Sequence, residues 1–346
     1  MIAVVIAGGQ GTRLWPLSTS EKPKHLLKII SERSLLQDAF DRAQLAADEI
    51  YVVTDKSHAH HVREQLPELD EQKIIVEPDR RGTASCILLA LAHIANSHDD
   101  DPEVAFFHAD HHILDKQAFA GAVREAALNS REHDSIALIG IEPEYPATGF
   151  GYIKQGERLN GSFRVDSFKE KPNEKTAEEY LNSGQYLWNL GLFAAPLSVF
   201  TKAFSDNSKE LNNGFNDLLS LLRENNSVDQ RYKELDDEPI DTALIEKAQD
   251  VIVVLGRFDW MDIGSFKDLH DVMPGKDEFD NSLSGDGAVH AIDTRNSIVI
   301  SHNKPVAVIG LENVAVIDTP EGILVCHKDY SQKVKEIAKK VRASAT

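Results

Sequence analysis

Five short, largely apolar runs, at residues 2–7, 50–54, 73–76, 104–108 and 135–141, alternate with stretches of helical periodicity at the start of the chain. Runs of that length without polar alternation suit strands buried on both faces, and strands that alternate with helices build a mostly parallel sheet. The intervening segments carry helix signals. Ser34 and Gln37 have the spacing of a capping box, after which Leu36, Ala39, Phe40 and Ala43 fall on one face. Thr83 stands where it can cap the run 87–94, and Phe119, Val123, Ala126 and Ala127 recur at helical spacing. The expected fold is α/β, a mostly parallel Rossmann-like sheet with helices on both faces. Open sheets of this kind bind ligands beyond the carboxyl ends of their strands, which gathers the loops after Ala7, Val76 and His108 around one crevice.

Beyond residue 141 the pattern loosens. Residues 150–154, 163–168 and 192–195 read as strands of an insertion covering the crevice, 207–232 as helical and 251–258 as one more buried strand. The polar, turn-rich stretch 274–287 sets a boundary between a main domain, 1–273, and a small C-terminal domain, 289–346. The latter holds five short strands, at 289–293, 297–301, 305–310, 314–318 and 322–327. They suit either the stacked rungs of a small β-solenoid or an ordinary meander. Residues 333–342 read as a closing amphipathic helix with Val334, Ile337, Ala338 and Val341 on one face.

Composition removes several functions. A net charge of −19 repels polyanions, so neither nucleic acid nor an anionic membrane is an expected partner, although a local basic cluster can still take a small anion. Cys86 and Cys326 are the only cysteines and form no CxxC pair, which argues against a zinc ribbon or a disulfide-stapled secreted fold. The apolar opening is too short to span a bilayer and has no basic residues before it. It reads as a strand rather than a signal peptide, and a cytoplasmic location is the default expectation.

The run Ala7-Gly8-Gly9-Gln10-Gly11-Thr12-Arg13-Leu14-Trp15-Pro16-Leu17, followed by Lys22-Pro23-Lys24, starts where the first strand ends. Glycines there let backbone N–H groups surround phosphate oxygens, and Arg13 and Lys24 add charge to neutralise a triphosphate. No Gly-Lys-Ser/Thr follows, so this is not a Walker loop, and Leu14 stands where a dinucleotide fingerprint needs its third glycine. The plain alternative is a tight strand-to-helix turn with solvent-facing charges.

This run resembles the signature of the sugar-phosphate nucleotidyltransferases, and Trp15 and Ser18 bring it nearer the mannose-1-phosphate guanylyltransferase branch. The resemblance continues in order to about residue 266, through Glu77-Pro78-x-x-Arg81-Gly82-Thr83-Ala84, Ala109-Asp110-His111-x-Ile113, Thr148 to Ile153, Phe168 to Pro172, Trp188 to Phe193 and Trp260 to Phe266. Three positions depart from it: Gly82 where Asn is more usual, Phe150 where Tyr is common and Phe266 in place of Trp. The tail resembles the branch's small β-helical domain more loosely, and no cupin-like isomerase extension follows.

The resemblance implies a GT-A-like nucleotidyltransferase that makes GDP-mannose from GTP and mannose 1-phosphate with Mg²⁺. Gly8, Gly9, Gly11, Thr12, Glu77, Arg81 and Thr83 would bind the nucleotide, and Gly149, Glu170, Lys171 and Asn189 the sugar phosphate. Arg13, Lys24, Asp110, Lys171 and Asp262 form the expected catalytic set, with Asp110 and Asp262 as metal ligands. Two carboxylates from separate segments suit one Mg²⁺ that also takes phosphate and water oxygens, while a lone strand-end Asp is more often a cap or turn residue. A homodimer is left open.

Neighbouring residues qualify this picture. Glu170 and Lys171 would point to opposite faces of a strand, so a local bend must bring both to one ligand. His108, His111 and His112 surround Asp110 but match no structural zinc spacing, and His58, His60 and His61 form a separate cluster. These read as surface histidines, with one orienting the acidic loop. Trp188 reads as packing. No Ser/His/Asp or Cys/His set suggests covalent catalysis. The competing readings are the same chemistry with another NTP or a glucose or heptose phosphate, a silent GDP-mannose-binding regulatory homologue, and a glycosyltransferase. The intact charged set speaks against the second, and Asp110-His111-His112, which is not an Asp-x-Asp motif, against the third.

Overall fold

Aliphatic side chains fill both faces of the first strand, all six residues of which are buried. The computed structural model describes residues 1–9 and 11–345; Gln10 of the glycine-rich run and Thr346 of the expected tail domain lie outside the described residues. In chain order the strands are β1 (Ile2–Ala7), β2 (Glu49–Asp55), β3 (Ile74–Glu77), β4 (Glu103–His108), β5 (His111–His112) and β6 (Ile136–Ile141). They continue as β7 (Gly151–Arg158), β8 (Phe163–Lys169), β9 (Tyr186–Pro196), β10 (Val251–Leu255) and β11 (Met261–Asp262). The C-terminal set is β12 (Ser282–Gly285), β13 (Val289–Ile292), β14 (Ile298–Ser301), β15 (Val306–Ile309), β16 (Val314–Thr319) and β17 (Gly322–His327). Two compact units result. One is Met1–Gly8, Ala39–Ala109 and Ile113–Asp259; the other is Gly9–Asp38, Asp110–His112 and Trp260–Thr346.

The first unit holds a nine-stranded sheet in the order β3-β2-β1-β4-β9-β6-β10-β8-β7. β1 pairs in parallel with β2 and β4, β2 with β3, and β6 with β10. Neighbouring residues on a strand face opposite ways. Phe106 packs edge-on against Phe200 of the helix Leu197–Asn207, and Phe107 against Phe119 of the helix Lys116–His133. Helices therefore cover both faces. β9 runs antiparallel to β4 and β6, in the middle of the sheet. Residues 192–195 are thus core strand rather than an insertion over a crevice, which explains their unbroken burial. β8 pairs antiparallel with β10 and β7, and β7 pairs back onto β9.

The capping box at Ser34 forms in both directions: Gln37 N–H donates to Ser34 Oγ at 3.1 Å, and Ser34 N–H to Gln37 Oε1 at 3.0 Å. Thr83 does not cap its helix. The helix Gly82–Ser97 starts after Arg81 with no side-chain cap, and Thr83 Oγ1 accepts the Ile240 N–H at 2.9 Å. A second chain segment meets this helix start instead, where the Glu238 carbonyl accepts the Ala84 N–H at 3.2 Å. Among the described residues no helix is long and apolar enough to cross a membrane.

The second unit is built on stacked rungs, the solenoid alternative. β12, β14 and β16 pair in parallel, as do β13 and β15, and successive rungs are offset by about one repeat, with Val289 opposite Val306 and Ile298 opposite Ala315. β12 lies inside the stretch read as a boundary; Ser-Leu-Ser-Gly gives it no apolar run to detect. β14 and β16 bury both faces. Val299 and Val316 meet Val308 inside the rungs, while Ile298, Ala315 and Ile317 pack with Leu14, Leu35, Ile263 and Phe266. Phe266 is fully buried in this cluster. β17 closes the stack antiparallel to β16. In the last helix, Val334–Ala345, Val334 and Ala338 are buried but Ile337 and Val341 are 44% and 40% exposed. The buried face is narrower than the four-residue stripe.

Candidate active site

Gly9 and Gly11 of the glycine-rich run belong to the second unit. Gly9 and Gly11 take φ of 94° and 54°, and a Cβ on Gly11 would stand 2.6 Å from the Lys24 Cβ. Only glycine fits the second position, in backbone and in space. The 3₁₀ turn Thr12–Leu14 follows, anchored by buried Leu14, with Arg13 exposed and its guanidinium 3.5 Å from Gln332 Oε1. Pro23 leads into the turn Lys24–Leu26, which buries Lys24 to 5% exposure.

The buried ammonium of Lys24 lies 3.1 Å from Asp110 Oδ2 and 2.7 Å from Asp262 Oδ1. Residues 86 and 238 positions from Lys24 thus meet at one point. Asp110 lies in the turn between β4 and β5. Asp262 does not merely follow a strand; it sits on β11, opposite His111 of β5. Buried Ile263 and Phe266 anchor the far side, and Ser265 caps the helix Phe266–Val272 by accepting the Asp268 N–H. Burial works against the charge on Lys24, but the two carboxylates outweigh it and raise its pKa. Burial likewise opposes ionisation of Asp262, and Asp110 adds to that, yet Lys24 and His111 hold it below the usual range. Two carboxylates converging on one cationic group are a donor set that fits a hard divalent ion completed by phosphate and water oxygens.

Two of the histidines are not at the surface, although His60 is exposed as expected. His58 is fully buried and ion-pairs with Asp55 at 2.9 Å, and His111 is 7% exposed with its ring 5.4 Å from Trp260.

In the first unit Gly8 follows β1, and a Cβ there would stand 3.9 Å from Glu77 Oε2. Glu77 is buried at the end of β3. Burial pushes its carboxyl up to about 7, against a hydrogen bond from Tyr232 Oη, which is itself fully buried. Arg81 pairs with Asp79 at 3.2 Å. A carboxyl poised near neutrality can accept hydrogen bonds or donate one.

Of the remaining expected residues, Gly149 precedes β7, Glu170 and Lys171 follow β8, and Asn189 lies on β9. Lys171 takes φ 44°, which supplies the bend that Glu170 and Lys171 need, and its ammonium bonds Glu170 Oε1. Asn189 is 9% exposed and lies opposite Gly151 in the β7–β9 ladder. A Cβ on Gly151 would stand 2.6 Å from Glu170 Oε2 and 3.2 Å from the Asn189 Cβ, so this glycine lets both side chains share one place. Gly149 is exposed, in an open loop. Trp188 is buried against Tyr145 and Phe150, consistent with packing.

Two residues escaped the sequence reading. Tyr232 ends the stretch read as helical and sits in the short helix Asp229–Lys233, and Asp241 lies in the irregular stretch beyond it; no motif marks either. Asp241 accepts from Asn189 Nδ2 at 2.8 Å.

Comparison with known proteins finds relatives over nearly the whole chain. The nucleotidyl transferase family profile matches residues 2–278, and that of the MannoseP isomerase/GMP-like beta-helix domain matches residues 287–341. The mannose-1-phosphate guanylyltransferase of Klebsiella pneumoniae is 36% identical over 354 residues, covering 97% of this chain and 73% of its own. That of Escherichia coli is 35% identical with the same coverage. A solved structure of mannose-1-phosphate geranyltransferase from Thermus thermophilus superposes with a TM-score of 0.89 at 30% identity, covering 99% of both chains. The chain belongs to the nucleotidyl transferase family and, within it, to the mannose-1-phosphate guanylyltransferases.

Proposed function

We propose that the protein converts GTP and mannose 1-phosphate to GDP-mannose and pyrophosphate, with Mg²⁺ as its metal. A phosphate oxygen of mannose 1-phosphate attacks the α-phosphorus of GTP. The bond from that phosphorus to the β-bridging oxygen breaks, and pyrophosphate carries away the electron pair. No protein nucleophile is required, so catalysis consists of positioning and neutralisation of charge.

The observation that carries this reading is the meeting of Lys24, Asp110 and Asp262 at one point. Asp110 and Asp262 would hold Mg²⁺, which when bound withdraws charge from phosphate oxygens. Arg13 and Lys24 neutralise the nucleotide phosphates, and Gly8, Gly9, Gly11 and Thr12 supply backbone room and donors. Glu77, Arg81 and Thr83 serve the nucleotide. Glu170 accepts sugar hydroxyls, Asn189 and Gly149 border the sugar, and Lys171 places the attacking phosphate.

The test is product identification. Purified protein with GTP, mannose 1-phosphate and Mg²⁺ is expected to form GDP-mannose and pyrophosphate in equal amounts by ion-exchange chromatography and mass spectrometry. EDTA should stop the reaction and added Mg²⁺ restore it. Failure to form GDP-mannose under these conditions would overturn the proposal.

A further inference from the structure

Both ends of the Asn189 amide are committed. Its Oδ1 accepts the Gly191 N–H at 3.2 Å, and its Nδ2 donates to Asp241 Oδ1 at 2.8 Å. The exchanged orientation would set oxygen against carboxylate and N–H against N–H, so the network fixes which way the amide faces. One N–H of Asn189 remains to donate.

Asp241 is held as firmly. It opens the π-helical turn Asp241–Ile245, a rare element that is frequent at functional sites. Ala243, Leu244 and Ile245 of that turn are buried, and Ile240 before it is buried with its N–H on Thr83. Asn189 is the only side chain that donates to the Asp241 carboxylate among the described residues. Burial and the nearby Glu170 press against its charge and raise its pKa, although His108, the Asn189 amide and its own backbone N–H favour the charged form. The bond from Asn189 does not itself call for an anion, because an asparagine at 241 could accept it without the desolvation penalty. A half-buried carboxylate with spare accepting capacity, beside an amide with one spare donor, is a recognition pair.

We propose that Asp241 is a specificity-determining residue for the sugar: its carboxylate accepts the proton of one sugar hydroxyl while the spare N–H of Asn189 donates to the adjacent oxygen. Together they read one pair of neighbouring hydroxyls. This rests on the sugar 1-phosphate reading above. Sites built to hydrogen-bond a hydroxyl reject analogues lacking it far more strongly than apolar pockets reject a missing methylene.

The experiment measures kcat/KM for mannose 1-phosphate and its 2-, 3- and 4-deoxy analogues with wild type and Asp241→Asn, together with KM for GTP. We expect Asp241→Asn to raise KM for mannose 1-phosphate by about tenfold or more, the range of one lost charged hydrogen bond, with KM for GTP within about twofold. The penalty for one deoxy analogue should also shrink in the variant, because residue and hydroxyl are coupled. Should Asp241→Asn fail to fold, Asp241→Glu keeps the charge, displaces it and should show the same loss of coupling. Identical deoxy penalties in wild type and the folded variant, or an equal rise in both KM values, would overturn the inference. A wild type that does not use mannose 1-phosphate at all would instead overturn the functional reading.

Discussion

Asp110 and Asp262 reach the same ammonium by different means, one from a turn and the other from a two-residue strand backed by buried Ile263 and Phe266. Substitution by Asn keeps shape and removes charge, so each variant should fold normally by circular dichroism. Loss of a preorganised electrostatic contact removes ~3–4 kcal/mol of transition-state stabilisation, so kcat should fall by roughly 10²–10³ at saturating Mg²⁺. Near-wild-type kcat in both folded variants would make the carboxylates structural.

A second buried lysine, far from any reacting group in sequence, supports the rungs. Lys328 donates to His270 Nδ1 at 2.9 Å and to Asn296 Oδ1 at 2.6 Å, while His270 Nε2 bonds the Asp280 carbonyl at 2.8 Å. Burial lowers its pKa to about 8, against Asp271 and Asp280, which raise it. The unfolded chain therefore binds more protons than the folded one between about pH 8 and the ordinary lysine value of 10.5, and stability rises with pH across that window. The Tm of wild type should climb relative to Lys328→Met between pH 8 and 10. A constant difference would contradict this.

At the scale of elements, the start of the helix Gly82–Ser97 depends on what is missing from residue 82. Gly82 has φ 70°, and a Cβ there would stand 2.4 Å from the Glu238 carbonyl oxygen. Asn tolerates the backbone conformation but not the contact. Gly82→Asn, which restores the residue commoner in the resembling family, should lower stability by about 1–3 kcal/mol, as overpacking against backbone does. A thermal melt at or above the wild-type Tm would show that the 236–240 segment moves freely.

Such close approaches explain what sequence reading could and could not see. The alternation of apolar runs located β1 to β4 and β6 because their burial is continuous, and the capping box located the helix Leu35–Ala46 because its two bonds are local. β9 looks like any other apolar run, and only pairing reveals that it lies antiparallel in the centre. Thr83 was legible as a cap by position, yet Ile240, more than 150 residues on, takes its hydroxyl. Asp110, Asp262 and Lys24 stood out within motifs. Asp241 did not, because its significance comes from the amide it faces and not from its neighbours in sequence.

At the scale of the whole molecule, the C-terminal rungs and the glycine-rich loop belong to one unit. Leu14, Leu35, Phe266 and Leu269 share a buried cluster with Ile298, Ala315, Ile317, Leu324 and Val334. A variant ending at Asp286 would expose that cluster, so it should aggregate or melt early and lose activity together with the loop. A soluble, monodisperse product with unchanged Tm and kcat would show that the rungs are dispensable. The most direct measurement of the central claim is a comparison of substrates on the intact chain. Pyrophosphate release is followed with Mg²⁺, each of four NTPs and a panel of sugar 1-phosphates, and kcat/KM is obtained for each pair. GTP with mannose 1-phosphate is predicted to give the highest value; a higher value for UTP or dTTP with glucose 1-phosphate would contradict it.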